Sequence, residues 1–399
     1  MVVGYFLIVD SAGRNEVLRL QPGFTLTGAS SPADIPLGVP VTAEYQRETG
    51  GVKEIVSLVV APRITPDERY VLLLPDLQMH LDPRQPHPPL LLVDTRPTEA
   101  WEEGHLPGSV PLPQTRLFAT ARPPAEVTGY RVVFTGAGEW DETPHRMLRQ
   151  ALAHGFSDVR VFSPGAAGWA RERLPLQITA NGLRRQMSAG RHLRVVDLRS
   201  PKEVAQGRIP ESVVPAGEMI TREELLLADP NYPLVLYGRD EADPAPDREA
   251  RRAYEWDYQS ESNSAMPVRI LAGGYAAWRA AGLPSAGDVP APLVAYQPKP
   301  GSGEVTLKEF REVWQERDGQ RLILNVRHEG SRTFPWEVLL PLEQLPERLQ
   351  ELPRDREILL YCYLGRRATV AYQILYNNGY RPRLLRRECI VDQDGVIRP

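Results

Sequence analysis

Three short apolar runs along the chain end in polar turns of one form: Leu-Leu-Val-Asp-Thr-Arg (91–96), Arg-Val-Val-Asp-Leu-Arg (194–199) and Leu-Ile-Leu-Asn-Val-Arg (322–327). Runs this short, bounded by turn signals, predict buried strands. A second apolar run follows each, at 131–136, 233–238 and 357–362, ending at Gly136, Gly238 and Cys362. The two glycines stand where the third copy has its cysteine. A third run, 159–162 and 268–271, appears in the first two copies, followed by Gly165 and Trp169 or by Gly273, Gly274 and Trp278. Recurrence at this spacing marks a tandem repeat of one structural unit. Strands alternating with helical segments over short connections predict α/β units: open parallel sheets with helices on both faces.

Ahead of the repeats, residues 1–75 alternate short apolar stretches (5–9, 15–20, 41–46, 55–61 and 70–74) with Gly, Pro and Asp clusters, which predicts a small, mostly β N-terminal module. No cysteine, phosphate-type glycine loop or histidine cluster falls within it, so a binding, dimerisation or capping role is expected. The division predicted from these patterns is 1–75, then repeats at 76–176, 177–286 and 303–399. A Pro/Gly-rich stretch, 284–304, reads as a semi-stiff linker before the last repeat.

Candidate chemistry concentrates after the run 358–361. Cys362 is followed by Tyr363, Leu364, Gly365, Arg366 and Arg367, and then by Val370, Ile374 and Leu375 at helical spacing. This predicts a strand, loop and helix in which the loop and helix N-terminus direct N–H groups at one spot, with two arginines adding positive potential. Such surroundings suit an anionic sulfur, either as nucleophile or as sulfur carrier. The competing reading is a buried structural thiol.

The sequence Cys362-Tyr363-Leu364-Gly365-Arg366-Arg367 resembles the C-x-x-G-x-R active-site loop of rhodaneses, the thiosulfate sulfurtransferases. The rest of the segment resembles one rhodanese domain in order: an entry helix at 306–316, a strand ending in Asn325-Val326-Arg327, and Leu-Pro-Leu-Glu-Gln-Leu at 340–345. It departs from that pattern at Ala368, at Asn325 in place of Asp, at 332–337, and at Arg386-Arg387 in place of a late Gly-Gly. The first repeat also has Gly-His-Leu-Pro-Gly (104–108), which in that family is a structural turn, so His105 is expected to be a satisfied buried imidazole.

The resemblance implies three tandem rhodanese-like domains, the first two catalytically silent because Gly136 and Gly238 replace the thiol and their loops are acidic. It implies Cys362 as the catalytic residue and Tyr363, Leu364, Gly365, Arg366 and Arg367 as substrate-binding. Arg366 is expected to meet substrate oxygens, and Arg367 to divide its role between loop structure and charge. The implied partners are a small sulfur-donor anion and a thiol or cyanide acceptor, with a protein acceptor of persulfide as a further candidate. No cofactor, metal, nucleic acid or membrane is expected, and the fragment 303–399 is expected to accept sulfur by itself.

Composition narrows the classes. Hydrophobic residues at 42% and charged residues at 25% are ordinary for a globular chain, and a net charge of −4 argues against a dedicated nucleic-acid surface. Two cysteines in 399 residues form no disulfide framework, which fits a reducing cytoplasm. Cys389 has no glycine or helix start after it and reads as structural. The apolar run 2–9 is too short for a signal or membrane segment. The function classes that remain are a sulfurtransferase, a non-catalytic scaffold or sulfur carrier, and a thiol phosphatase or arsenate reductase. Four residues separate Cys362 from Arg367. The phosphatase-like loops use five, so the spacing favours sulfur over phosphate.

Overall fold

The computed structural model describes the chain apart from residues 1, 4–5, 12–13, 36–38, 83–87, 113–116, 119–124, 128, 190–192, 218, 222–232, 259–267, 288–289, 291, 294–302, 317–318, 329–335, 364, 386–389, 392–396 and 399. Leu364, Cys389, Arg386 and Arg387 therefore lie outside the described residues. The chain forms two compact units, one made of Met1–Ala61 with Lys299–Pro399 and the other of Pro62–Pro298.

The first unit begins with a five-stranded sheet: β1 (Val2–Val3), β2 (Phe6–Ser11), β3 (Arg14–Thr27), β4 (Val41–Thr49) and β5 (Val52–Val60) in the order β1-β2-β3-β5-β4. Its strands divide their apolar side chains between two faces, as the two-residue period of a strand requires. Leu7, Leu18, Leu20, Ile55 and Leu58 form a cluster of their own. Phe6, Val17 and Val52 point the other way, into the core of the last repeat, among Leu342, Leu345 and Leu349. Arg19 fixes this docking by donating to the Glu343 carbonyl and the Glu347 carboxylate, both at 2.5 Å. The module and the last repeat therefore share one core, and residues 303–399 bury part of their apolar surface against the N-terminal sheet.

The second unit holds β6 (Leu90–Asp94), β7 (Val110–Pro111), β8 (Arg131–Thr135) and β9 (Val159–Phe162), then β10 (Leu176–Ile178), β11 (Arg194–Asp197), β12 (Leu234–Tyr237) and β13 (Val268–Leu271). The first unit adds β14 (Arg321–Asn325), β15 (Val338–Leu339), β16 (Glu357–Tyr361) and β17 (Arg381–Leu384). All three repeats have one topology. The sheets run β7-β6-β8-β9, β11-β12-β13-β10 and β15-β14-β16-β17, with every pairing parallel. Isolated parallel bridges complete the correspondence: Val71 beside Val161, Val213 beside Val196, and Glu304 beside Leu384. Five strand positions thus recur in the same order, with β8, β12 and β16 at the centre.

Each central strand is buried on both faces, which is why it reads as a continuous apolar run. In β16, Ile358 and Leu360 face one cluster while Leu359 and Tyr361 face another. In β12, Leu234 and Leu236 likewise oppose Val235 and Tyr237.

Residues 62–75 belong with the first repeat. Val71 makes the edge bridge, a helix follows at Leu74–Leu81, and Leu72 and Leu77 pack with Leu92, Val133 and Phe162. The strand expected at 70–74 is thus a single bridge before a helix, whose first turn holds Pro75 without loss because that position has no intrahelical N–H bond to make. Among the described residues, no helix is long and apolar enough to cross a membrane.

Candidate active site

In all three repeats the end of the first strand is tied to the end of the central one. The amide hydrogens of Thr95, Leu198 and Val326 are donated to the carbonyls of Thr135, Tyr237 and Tyr361 at 2.9, 3.0 and 3.2 Å. The residue immediately after each carbonyl is Gly136, Gly238 or Cys362. Cys362 is 3% exposed and sits at the edge of the hydrophobic cluster that contains Leu340, Leu342 and Ala368. Gly365 caps the next helix, Arg366–Asn377, in the left-handed region at φ 73°, a conformation that glycine adopts without strain. Its carbonyl accepts the Thr369 amide at 2.9 Å, so the helix is capped three residues beyond the thiol and starts at Arg366.

The two arginines have different surroundings. Arg367 donates from Nε to the Val326 carbonyl at 2.8 Å, from Nη1 to Glu343 Oε1 at 2.8 Å, and from Nη2 to Glu343 Oε2. This fork joins the helix to the loop after β14 and places Arg367 in structure. Burial acts to raise the Glu343 carboxyl, but the hydrogen bonds from Arg367 outweigh it and hold it below the ordinary carboxylate range. Arg366 is exposed at the first helical position. Tyr363, beside Cys362, is 54% exposed, and the Arg327 guanidinium lies 4.7 Å from the centre of its ring.

Beneath the loop lies a buried polar cluster built around the Asp-x-Arg turn. In the first two repeats the arginine forks onto the aspartate: Arg96 to Asp94 at 3.0 and 2.7 Å, and Arg199 to Asp197 at 2.9 and 2.6 Å. The same arginines reach the carbonyls of Gly104 and Gly207. The third repeat has Asn325, whose Oδ1 accepts from Arg327 at 3.0 Å while its Nδ2 donates to Glu337 Oε1 at 3.0 Å. Tyr361 donates to the other Glu337 oxygen and accepts from Arg327 Nη2 at 3.2 Å. Glu337, 2% exposed, thus carries the carboxylate that Asn325 lacks.

The two thiol-free loops are closed by their own aspartates. Asp141 accepts the amides of Ala137 and Thr143, each at 2.9 Å; Asp243 accepts those of Arg239 and Ala245 at 2.8 and 3.0 Å. These residues stand five beyond Gly136 and Gly238, the place Arg367 holds relative to Cys362. A Cβ at Gly136 would lie 2.3 Å from Asp141 Oδ2, and one at Gly238 would lie 2.5 Å from Asp243 Oδ2. The acidity read in these loops therefore takes a specific form, in which an internal carboxylate accepts two N–H groups of each loop.

His105 is buried, stacked on Trp101 at 4.2 Å and hydrogen-bonded through Nδ1 to the Trp101 carbonyl at 2.7 Å. Burial pushes its pKa down to about 4. It is a satisfied imidazole in the first repeat. Among the described residues, no cluster of His, Cys, Asp and Glu has metal-binding form.

Glu337, Tyr361, Glu343 and the two loop aspartates are the residues that the motif left out. The shared Asp five positions after each glycine was the available signal for the aspartates. Glu337 follows a stretch that has lost the family's turn motif, and its partnership with Asn325 depends on the fold.

The model of the rhodanese-like domain matches residues 76–172 and 179–281, half of the chain. The chain belongs to the rhodanese-like domain family. Both matched stretches are thiol-free repeats, and Cys362 lies in the third repeat, beyond them. A sulfurtransferase of Allochromatium vinosum is 36% identical over 47 residues, which is 12% of this chain and 44% of that protein. Among solved structures, the thiosulfate sulfurtransferase from Pseudomonas aeruginosa is 17% identical, covering 79% of this chain and 66% of that one at a TM-score of 0.23. The wild-type structure of EanB is 17% identical, covering 80% of this chain and 94% of that one at a TM-score of 0.24. This rhodanese-like chain spans less than half of the curated relative.

Proposed function

We propose that this chain is a sulfurtransferase that carries sulfane sulfur on Cys362. The Cys362 thiolate attacks the outer sulfur of thiosulfate, a new S–S bond forms, and the bond to the sulfonate breaks so that sulfite leaves with its electron pair. The terminal persulfide sulfur is then attacked by an acceptor thiol, a protein-borne thiol or cyanide, which releases the Cys362 thiolate again. With cyanide the product is thiocyanate. No cofactor enters this scheme, and a reducing cytoplasm suits a thiol that must cycle.

The observation that carries the reading is the comparison of the three repeats. All share one strand order, and the third has a thiol, in place of a glycine covered by an aspartate, between the central strand and its helix. Gly365 and the first turn of the helix supply N–H groups close in sequence to the sulfur, and Arg366 adds an exposed positive charge. Arg367, engaged with Glu343 and Val326, holds the loop. The first two repeats contribute structure and no persulfide.

The test is thiocyanate formation from thiosulfate and cyanide by the whole chain. Activity that disappears in Cys362→Ser supports the assignment; activity that survives removes it. A sulfur-carrier scaffold is the second reading, favoured by the family match falling on the two thiol-free repeats. It predicts that Cys362 loads one sulfur without turnover. Hydrolysis of para-nitrophenyl phosphate would instead favour a phosphatase, which the four-residue spacing between Cys362 and Arg367 disfavours.

A further inference from the structure

In the third repeat the buried carboxylate of the strand-end cluster is Glu337 instead of an aspartate, and it meets Tyr361, the residue before Cys362, directly and Arg327 through Asn325. Asn325 is matched to this arrangement. Its oxygen accepts from Arg327 and its amide hydrogen goes to Glu337, so it can serve both, whereas an aspartate would place two buried carboxylates about 3.0 Å apart. One of them would have to take up a proton. Asn325 and Glu337 are therefore a compensated pair.

Arg327, 4% exposed, is what this pair holds. Its Nη2 donates to the hydroxyl of Tyr361, the residue before Cys362, and its guanidinium lies 4.7 Å from the ring centre of Tyr363, the residue after it. Glu337 grips the same hydroxyl from the other side. Removing the Glu337 charge loosens the Asn325 amide and the Tyr361 hydroxyl, the two groups that join Glu337 to Arg327, and both tyrosines are in contact with that guanidinium.

We propose that Glu337 is a positioning residue for Cys362: through Tyr361 and Arg327 it fixes the two residues that flank the sulfur in the geometry that accepts a sulfane sulfur. This rests on the reading of Cys362 as sulfur acceptor.

The test is single-turnover sulfur uptake by the whole chain, measured against thiosulfate concentration. Glu337→Gln is expected to lower the saturating rate about tenfold while the half-saturating concentration stays within about twofold, the size expected for one buried charged hydrogen bond. The double variant Asn325→Asp with Glu337→Gln returns the charge to the place it has in the other repeats, and should recover the rate to within about threefold of wild type. An unchanged saturating rate in Glu337→Gln, or a double variant no faster than the single one, overturns the proposal. If Glu337→Gln does not fold, the double variant and Tyr361→Phe decide: a folded double variant that stays slow, or a Tyr361→Phe protein with the wild-type rate, overturns it. Wild type that takes up no sulfur counts against the reading of Cys362 itself. Alkylation of Cys362 by iodoacetamide then tests Glu337 separately: a rate altered in Glu337→Gln and restored in the double variant supports positioning, and an unaltered rate refutes it.

Discussion

The carboxylate of Asp243 accepts the amide hydrogen of Arg239 at 2.8 Å, directly beside the glycine that stands where the third repeat has its cysteine. Asp141 does the same for Ala137 in the first repeat. Introducing the thiol is therefore not enough to restore the site. Gly238→Cys and Gly136→Cys should each cost about 1–3 kcal/mol through overpacking against an aspartate held by two N–H groups. Neither should add a second sulfur-accepting site. Denaturation midpoints and a count of sulfane sulfur per chain check both halves, and a count above one would contradict the account.

Arg366 and Arg367 should separate cleanly by measurement. Arg367→Ala removes the fork to Glu343 and Val326 and should destabilise the first unit by about 1–2 kcal/mol, with slower sulfur uptake. Arg366→Ala should leave the melting curve in place and raise the half-saturating thiosulfate concentration by up to about fivefold, as an exposed charge does. That effect should shrink as salt is added. The reverse assignment, with stability lost in Arg366→Ala, would mean that the helix start is held differently.

The N-terminal sheet should be required for the last repeat to fold. Phe6, Val17 and Val52 lie in the core shared with Leu342 and Leu345, and their burial is worth on the order of 5 kcal/mol. A fragment of residues 299–399 should unfold without a cooperative transition, and addition of residues 1–61 should restore one. Within the whole chain, Phe6→Ala should cost about 3–5 kcal/mol. A cooperative melt from 299–399 alone would show that the sheet is dispensable.

Stability of the second unit should fall in mild acid. Burial holds His105 neutral, with its pKa near 4 against an ordinary 6.5; its contact with the Trp101 carbonyl and the charge of Asp94 oppose that shift, and Arg96 reinforces it. The unfolded chain therefore binds the proton first. The stability present above pH 6.5 is lost progressively as pH falls toward 4, by on the order of 3 kcal/mol. His145, also held low by burial, acts in the same direction. Urea midpoints at several pH values should slope less in His105→Gln than in wild type, and equal slopes would remove His105 from the account.

Much of the repeat architecture was legible because each central strand is buried on both faces and so reads as an unbroken apolar run. The glycine-for-cysteine correspondence came from the same runs. β17 was not legible: Pro382 interrupts it and Arg381 and Arg383 alternate with buried positions, so it lacks the apolar signature of β9 and β13. The joining of 1–61 to the last repeat depends on contacts such as that of Arg19 with Glu343, 324 residues apart, which no local pattern encodes. At the site, the motif identified Cys362 and its loop, but which arginine is tied down, and which residue replaces the missing aspartate, were decided by Glu343 and Glu337. Both act across the fold from the residues they serve.

The central claim is that Cys362 accepts sulfane sulfur. The most direct measurement is mass spectrometry of the whole chain after incubation with thiosulfate, followed by mapping of any adduct to a peptide. The account predicts one added sulfur per chain, on the peptide containing Cys362, removed by cyanide and absent from Cys362→Ala. An adduct that persists in Cys362→Ala, or that maps to the peptide containing Cys389, would contradict it.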